Sequence, residues 1–201
     1  MNVMNNKYVL LALLLALIIC IPAIVMYERK KVSTMELVTV AVMTALCALG
    51  RSIFAPIPGF KPVSAIVALS GAGLGPAAGF MTGALSAVVS NMQFGQGLWT
   101  PFQMAAWGLI GMAAGFFGKH IQKSRFLMLI FGGLSGIFYY FVMDVCTLVM
   151  SGEGIGIGAY ISLTLAGLPV MAVYAVSDMI FLLVLGNPIC RRLARLRLKY
   201  L

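Results

Sequence analysis

Two stretches of this 201-residue chain, 8–26 and 126–143, each contain at least 18 consecutive residues and no charged side chain. A run of that length and polarity is typical of a helix that crosses the hydrocarbon core of a bilayer, which is about 30 Å thick. Only 9% of all residues are charged and 62% are hydrophobic, whereas about a quarter of a soluble domain is charged. The sequence therefore predicts an all-α integral membrane protein.

The apolar segments predict seven spanning helices. They are 8–26, 35–53, two short pieces within 62–91, 102–118, 126–150 and 159–187. The two pieces within 62–91 are divided by Gly-Leu-Gly-Pro at 73–76, and they are either short shielded helices or a re-entrant hairpin. Basic residues follow the segment 8–26, which favours a retained helix over a cleaved signal peptide.

The basic residues predict the orientation in the membrane. Short cytoplasmic loops are enriched in Lys and Arg. A cytoplasmic tail places eleven such residues on the cytoplasmic side and leaves only Lys7, Arg51 and Lys61 outside. We therefore expect a multi-pass protein of the cell membrane with an external N-terminus and a cytoplasmic C-terminus. The net charge of +9 follows from this topology, and no basic arm or helix-turn-helix pattern indicates nucleic acid.

The loop 91–101 is the strongest candidate for a binding site. It combines neutral amides and a hydroxyl with two aromatic rings, a composition that suits a small organic ligand. Its candidate residues are Asn91, Gln93, Phe94, Gln96, Trp99 and Thr100. Gln103 and Trp107 follow at helical spacing and continue the polar stripe into the membrane. The alternative is that the aromatics lie at the membrane interface and the amides join helices.

Two carboxylates lie within apolar spans, where a charge is costly and needs a cavity or a partner. Asp144, with Tyr140 beside it, is predicted to contribute to the floor of the site, whereas Asp178 has either a structural or a binding role. A second hypothesis follows from these residues. A self-sufficient secondary transporter would use one of them to carry a proton.

No motif indicates catalysis, a metal or a bound cofactor. The chain has a single histidine, its four cysteines lack CxxC spacing, and GxxxxGK[ST] does not occur. Energy for uphill transport would have to come from another protein or from an ion gradient. We therefore expect neither an enzyme nor a metal site nor a cofactor.

The runs FAPIPGFKPVSAIVALSGAGLGPAAGFMTGALSAVVSN and FGQGLWTPFQMAAWGLIGMAAG, with the alanine strip Ala41 and Ala45, resemble the substrate-specific (S) components of energy-coupling factor (ECF) vitamin importers. The resemblance covers about 34–190 and implies a six-helix substrate-binding domain. The N-terminal helix and linker, 1–33, and a basic cytoplasmic tail, 191–201, would flank it.

The resemblance also implies a function and partners. An S component captures a vitamin at the external face, and an alanine strip, here Ala41 and Ala45, docks on a transmembrane coupling protein that joins two cytoplasmic ATPases. Loops 54–62, 91–101 and 151–158 would cover the pocket, and Lys61 in the first of them is included among the predicted binding residues. The subgroup pattern around Trp99 is associated with cobalamin or similar cofactors, which makes cobalamin one candidate ligand. Flavins, pyridoxine and queuosine precursors also fit.

Overall fold

The computed structural model describes residues 32–151 and 156–200, and residues 10, 14, 18, 20, 21, 24, 25 and 27–29 of the N-terminal segment. From residue 32 onward the described chain folds into helices joined by short loops. These helices are α1 (Thr34–Ile53), α2 (Val63–Leu74), α3 (Pro76–Phe94), α4 (Trp99–Phe116), α5 (Gly118–Lys123), α6 (Arg125–Ser151), α7 (Ile157–Ala166) and α8 (Leu168–Tyr200).

Three of the described helices, α1, α6 and α8, are long and apolar enough to cross a bilayer. Their outer faces expose many large apolar side chains, among them Leu46, Leu134 and Val184. Such faces would be unfavourable in water and are stable against lipid tails. The prediction of an all-α, multi-pass membrane protein is confirmed. Most of the predicted span 8–26 lies outside the described residues.

Helix α2 forms the centre of the bundle. All twelve of its residues are buried, because α1, α3, α4 and α8 pack around it. It ends at Gly75, whose φ of 105° is accessible mainly to glycine, and Pro76 starts α3 in the next position. The region 62–91 thus contains a short shielded helix followed by a 19-residue helix that is longer than the sequence predicted.

The prediction of one continuous helix over 159–187 is wrong. The segment contains two helices, α7 and α8, which are separated at Gly167. Pro169 at the second position of α8 has no N–H to donate, so it is accommodated at a helix start. Gly167 is also in close contact with the Tyr140 hydroxyl, where a side chain would clash. Helix α8 then continues through Pro188 into the segment predicted as a basic tail.

The two ends of the bundle differ in charge. Helices α6 and α8 are antiparallel, since Gly132 packs against Leu182 and Gly136 against Ala175. This brings Arg125 to the same end as the last turns of α8. That end, called the basic end here, has these described Lys and Arg residues: Arg29, Lys119, Lys123, Arg125, Arg191, Arg192, Arg195, Arg197 and Lys199. The opposite end has Arg51 and Lys61, while Lys7, Lys30 and Lys31 lie outside the described residues.

The described part of the N-terminal segment packs against the same bundle. Cys20 is buried beside Phe80 and Ala105, and Tyr27 is buried against Val40 and Leu193. The segment therefore contacts α3 and α4 through Cys20, and it contacts α1 and α8 near the basic end through Tyr27.

Candidate functional site

A narrow cavity of about 170 Å³ lies at the end of the bundle opposite the basic end. Helices α1, α2, α4, α6 and α8 contribute its walls, and the loop before α2 contributes one side. Its lining residues are Arg51, Lys61, Val63, Ser64, Gln103, Trp107, Tyr139, Met143 and Tyr174. The cavity thus combines aromatic rings, neutral polar groups and two cations, a mixture typical of small-molecule sites.

Aromatic rings form one wall of this cavity. The rings of Trp107 and Tyr139 are stacked, with centroids 5.1 Å apart and planes within 8°. Tyr174 approaches Tyr139 from α8 at 5.3 Å and is tilted by 47°. Because two stacked rings cover each other's inner faces, another planar ring can stack only on an outer face of this pair.

The Arg51 guanidinium is held by hydrogen bonds at the edge of this wall. Its Nη1 donates to Ser90 Oγ at 2.6 Å and to Asn91 Oδ1 at 2.7 Å. The guanidinium carbon also lies 4.7 Å from the Phe94 ring centroid and 5.5 Å from that of Trp107, within the range of cation–π attraction. Arg51 is only 8% exposed, so its position is determined by these contacts.

Asn91 connects Arg51 to the next helix. Its Nδ2 donates to Thr100 Oγ1 at 2.9 Å and to Gln103 Oε1 at 2.8 Å, and Gln103 Nε2 in turn donates to Tyr139 Oη at 3.2 Å. Asn91 is fully buried. Because every one of its amide atoms is hydrogen bonded, the network orients the Gln103 and Tyr139 side chains toward the cavity without adding a charge.

The cavity is electrostatically positive. Arg51 and Lys61 line it, and no carboxylate is among its lining residues. Burial lowers the pKa of Lys61, and the nearby charge of Arg51 lowers it further. Both cations therefore favour a ligand that presents carbonyl, imide or anionic oxygens.

The predicted binding residues divide into those at the cavity and those away from it. Lys61, Gln103 and Trp107 line the cavity, and Asn91 and Thr100 support it through the hydrogen-bond network.

The remaining residues of loop 91–101 lie outside the cavity lining. Gln93 contacts Ser52 at the exposed rim, and Gln96 donates to the Val88 carbonyl. Trp99 packs beside Phe102 and Cys146 instead. Phe94 lies under Arg51, 38% exposed, and reaches the site only through that cation.

Tyr140 and Asp144 form a separate cluster. Thr164 of α7 donates to Asp144 Oδ2 at 2.9 Å, and the Tyr140 hydroxyl interacts with the same carboxylate and with Gly167. Tyr140 reaches the cavity only indirectly, through Tyr174 at 6.3 Å between ring centroids. The cluster joins α6 to the α7–α8 junction.

Asp178 of α8 caps the first turn of the neighbouring helix α2. Its carboxylate accepts hydrogen bonds from the Ser64 hydroxyl and the Ala65 N–H, in the first turn of α2, while Oδ2 has no partner. The neighbouring Ser177 hydroxyl bonds to both the N–H and the carbonyl of Lys61. These contacts attach α8 to the start of α2, directly behind the cavity.

Arg51, Tyr139 and Tyr174 line the cavity but are absent from the sequence-based prediction of binding residues. Helical spacing in the sequence contained a signal for two of them. Arg51 follows Met43 and Cys47 at intervals of four, and Tyr139 follows Ser135 in the same way. No sequence signal identified Tyr174, since its position depends on where α8 crosses α6.

The fold and the cavity define a multi-pass helical membrane protein that can hold a small organic ligand near one end of its bundle. Residues 31–195 match the family described as "ECF-type riboflavin transporter, S component". The match spans well over half of the chain, and the chain therefore belongs to this family. It is a substrate-binding subunit of the vitamin-importer class, and the family is one of transporter components, not of enzymes. No significant match was found among curated proteins or solved structures.

Proposed function

We propose that this chain captures a vitamin with a flat heteroaromatic ring, with riboflavin as the first candidate, and delivers it together with a coupling protein and two ATPases. The observation that carries the proposal is the stacked Trp107–Tyr139 wall next to the cations of Arg51 and Lys61. A flavin has a planar ring system that stacks on such a wall. The carbonyl oxygens at one edge of the ring accept hydrogen bonds from cations and from the Gln103 amide.

Size favours a ring of this kind over a corrinoid. The cavity of about 170 Å³ is smaller than the roughly 300–1,000 Å³ of pockets that hold drug-sized ligands. One end of a planar ring fits this space, with the rest of the ligand directed to the loops. A corrinoid such as cobalamin is larger than a drug-sized ligand and would require the helices to separate.

A direct binding measurement tests the proposal. We expect the detergent-purified chain to bind one riboflavin and to quench its fluorescence, because contact with the stacked Trp107–Tyr139 pair allows electron transfer from these rings. Excess cobalamin should not displace it. Stoichiometric cobalamin binding without riboflavin binding would contradict the flavin assignment and support a corrinoid, and binding of neither would contradict both.

A substitution at Lys61, with a control at the basic end, tests the contribution of this cation to binding. Lys61→Gln should weaken riboflavin binding at least about tenfold, since a hydrogen bond from a charged group contributes about 1.5–3 kcal/mol. Lys119→Gln at the basic end should leave it unchanged. In the native protein the affinity should fall as the pH rises, and the midpoint should lie below the ordinary lysine pKa of about 10.4, because burial lowers the pKa of Lys61.

We also propose that the exposed face of α1 docks on the coupling protein. Ala41 and Ala45 are exposed on this face, with Leu37 and Val42 beside them. The opposite face, which includes Cys47, is buried. Small residues on an apolar helix face let another helix approach closely.

Bulky substitutions test this docking face. Ala41→Trp with Ala45→Trp should abolish co-purification with the coupling protein and reduce vitamin uptake at least tenfold, while binding of the vitamin by the isolated chain remains. Ala172→Trp, at an exposed position of α8, is the matched control. Equal losses in the control would show a general packing defect and not a specific interface.

The proposed orientation follows from the charge difference between the two ends. The basic end would face the cytoplasm, and the cavity would open to the exterior with the N-terminus on the same side. Such an arrangement places the binding site where a scarce external nutrient is available.

A further inference from the structure

A larger cavity is separate from the proposed vitamin site. It is a groove of about 640 Å³ between α4 and α6, in the half of the bundle that includes the basic end. Its walls are almost entirely apolar and include Leu109, Met112, Phe116, Leu127, Leu134 and Phe138. A concave apolar groove on a lipid-facing surface can hold an acyl chain.

The length of the groove agrees with that of one membrane leaflet. Leu127 and Phe138 are eleven residues apart on α6, which corresponds to roughly 16 Å at 1.5 Å per residue. One leaflet contributes about half of a hydrocarbon core of about 30 Å. An acyl chain that starts at the basic end would therefore extend through the groove to about the middle of the bilayer.

The charges at the entrance select the headgroup. Lys119, Lys123 and Arg125 are exposed on α5 and at the start of α6, and His120 lines the groove itself. No Asp or Glu occurs in the sequence between Glu36 and Asp144, so neither wall of the groove has a carboxylate near its entrance. Glu36 lies at the same end but on α1, which packs against α2 and α3.

From the apolar groove, its length and the positive entrance together, we infer that the α4–α6 groove is a specific site for an anionic phospholipid. One acyl chain occupies the groove, and the phosphate lies among the basic side chains of α5. Basic residues near a membrane surface attract anionic lipids, and a fixed groove adds selection for one position.

Native mass spectrometry of the full-length chain, titrated with dioleoylphosphatidylglycerol or dioleoylphosphatidylcholine, tests this site. We expect one phosphatidylglycerol to bind at least about tenfold more tightly than phosphatidylcholine. The preference should disappear in Lys119→Gln/Lys123→Gln/Arg125→Gln. It should persist in the equally neutralised control Arg191→Gln/Arg192→Gln/Arg195→Gln, because the end of α8 is not among the groove's lining residues.

A second variant separates the groove from simple charge attraction. Ala113→Phe fills the groove and leaves every basic residue in place, so it should remove the bound lipid without lowering the thermal stability. Equal binding of both lipids to the native chain would overturn the inference. An equal loss in the α8 control would also overturn it. So would retention of the lipid in Ala113→Phe, and loss of the coupling protein in that variant would identify the groove as a protein interface.

Discussion

Replacing Trp107 with alanine is expected to reduce vitamin affinity by about thirtyfold or more. The indole forms the stacking wall with Tyr139 and also contacts the Arg51 guanidinium, so its removal eliminates both the flat surface and one support of the cation. Buried aromatic anchors of binding sites commonly contribute about 2 kcal/mol or more, which corresponds to this factor. Titration of the purified variant with riboflavin, followed by fluorescence, measures the loss.

Two further variants make this result specific. Trp107→Phe keeps an aromatic ring and should retain part of the affinity. Trp99→Ala removes the same side chain eight residues earlier, outside the cavity lining, and should bind nearly as well as the native chain. Equal losses in Trp99→Ala and Trp107→Ala would mean that the ligand lies against loop 91–101 and not in the described cavity.

Replacing Asp178 with alanine is expected to cause a large loss of stability. The carboxylate is 1% exposed and accepts hydrogen bonds from Ser64 and Ala65 at the start of α2. Its removal leaves these two donors unsatisfied inside the bundle, at a cost of about 1–3 kcal/mol for each buried group. We expect the melting temperature of the detergent-purified protein to fall by roughly 5 °C or more.

The conservative variant distinguishes capping from proton transfer. Asp178→Asn retains an oxygen acceptor and should lose much less stability than Asp178→Ala. If Asp178 only caps α2, vitamin uptake through the coupling protein should persist in Asp178→Asn, and also in Asp144→Asn. A folded Asp178→Asn protein that binds the vitamin but loses uptake driven by a proton gradient would support the secondary-transporter hypothesis instead.

The roles of the two intramembrane carboxylates show where sequence reasoning was limited. Their rarity in apolar segments correctly indicates that each needs a partner. The partners are far away in the chain, however, since Asp144 meets Thr164 and Asp178 meets Ser64. The spacing of residues within one helix contains no information about which other helix lies opposite.

The binding residues show the same limit. The sequence predicted Gln103 and Trp107 from helical spacing, and both line the cavity. It also favoured Trp99 and Gln96 because they lie in the same polar loop, whereas the structure places them at the rim or in a neighbouring cluster. Arg51 was counted only as an external charge, although it is buried at the centre of the polar network.

The sequence by itself determined the environment of this protein and its helical fold. Apolar length and scarcity of charge leave only helices whose backbone groups are satisfied internally, and the distribution of Lys and Arg predicts how the ends are arranged. Only the tertiary structure decided which side chains share the cavity. Helix crossings bring residues from α1, α2, α4, α6 and α8 to one point, and that convergence depends on how close the helices can approach, as at Gly136 and Gly167.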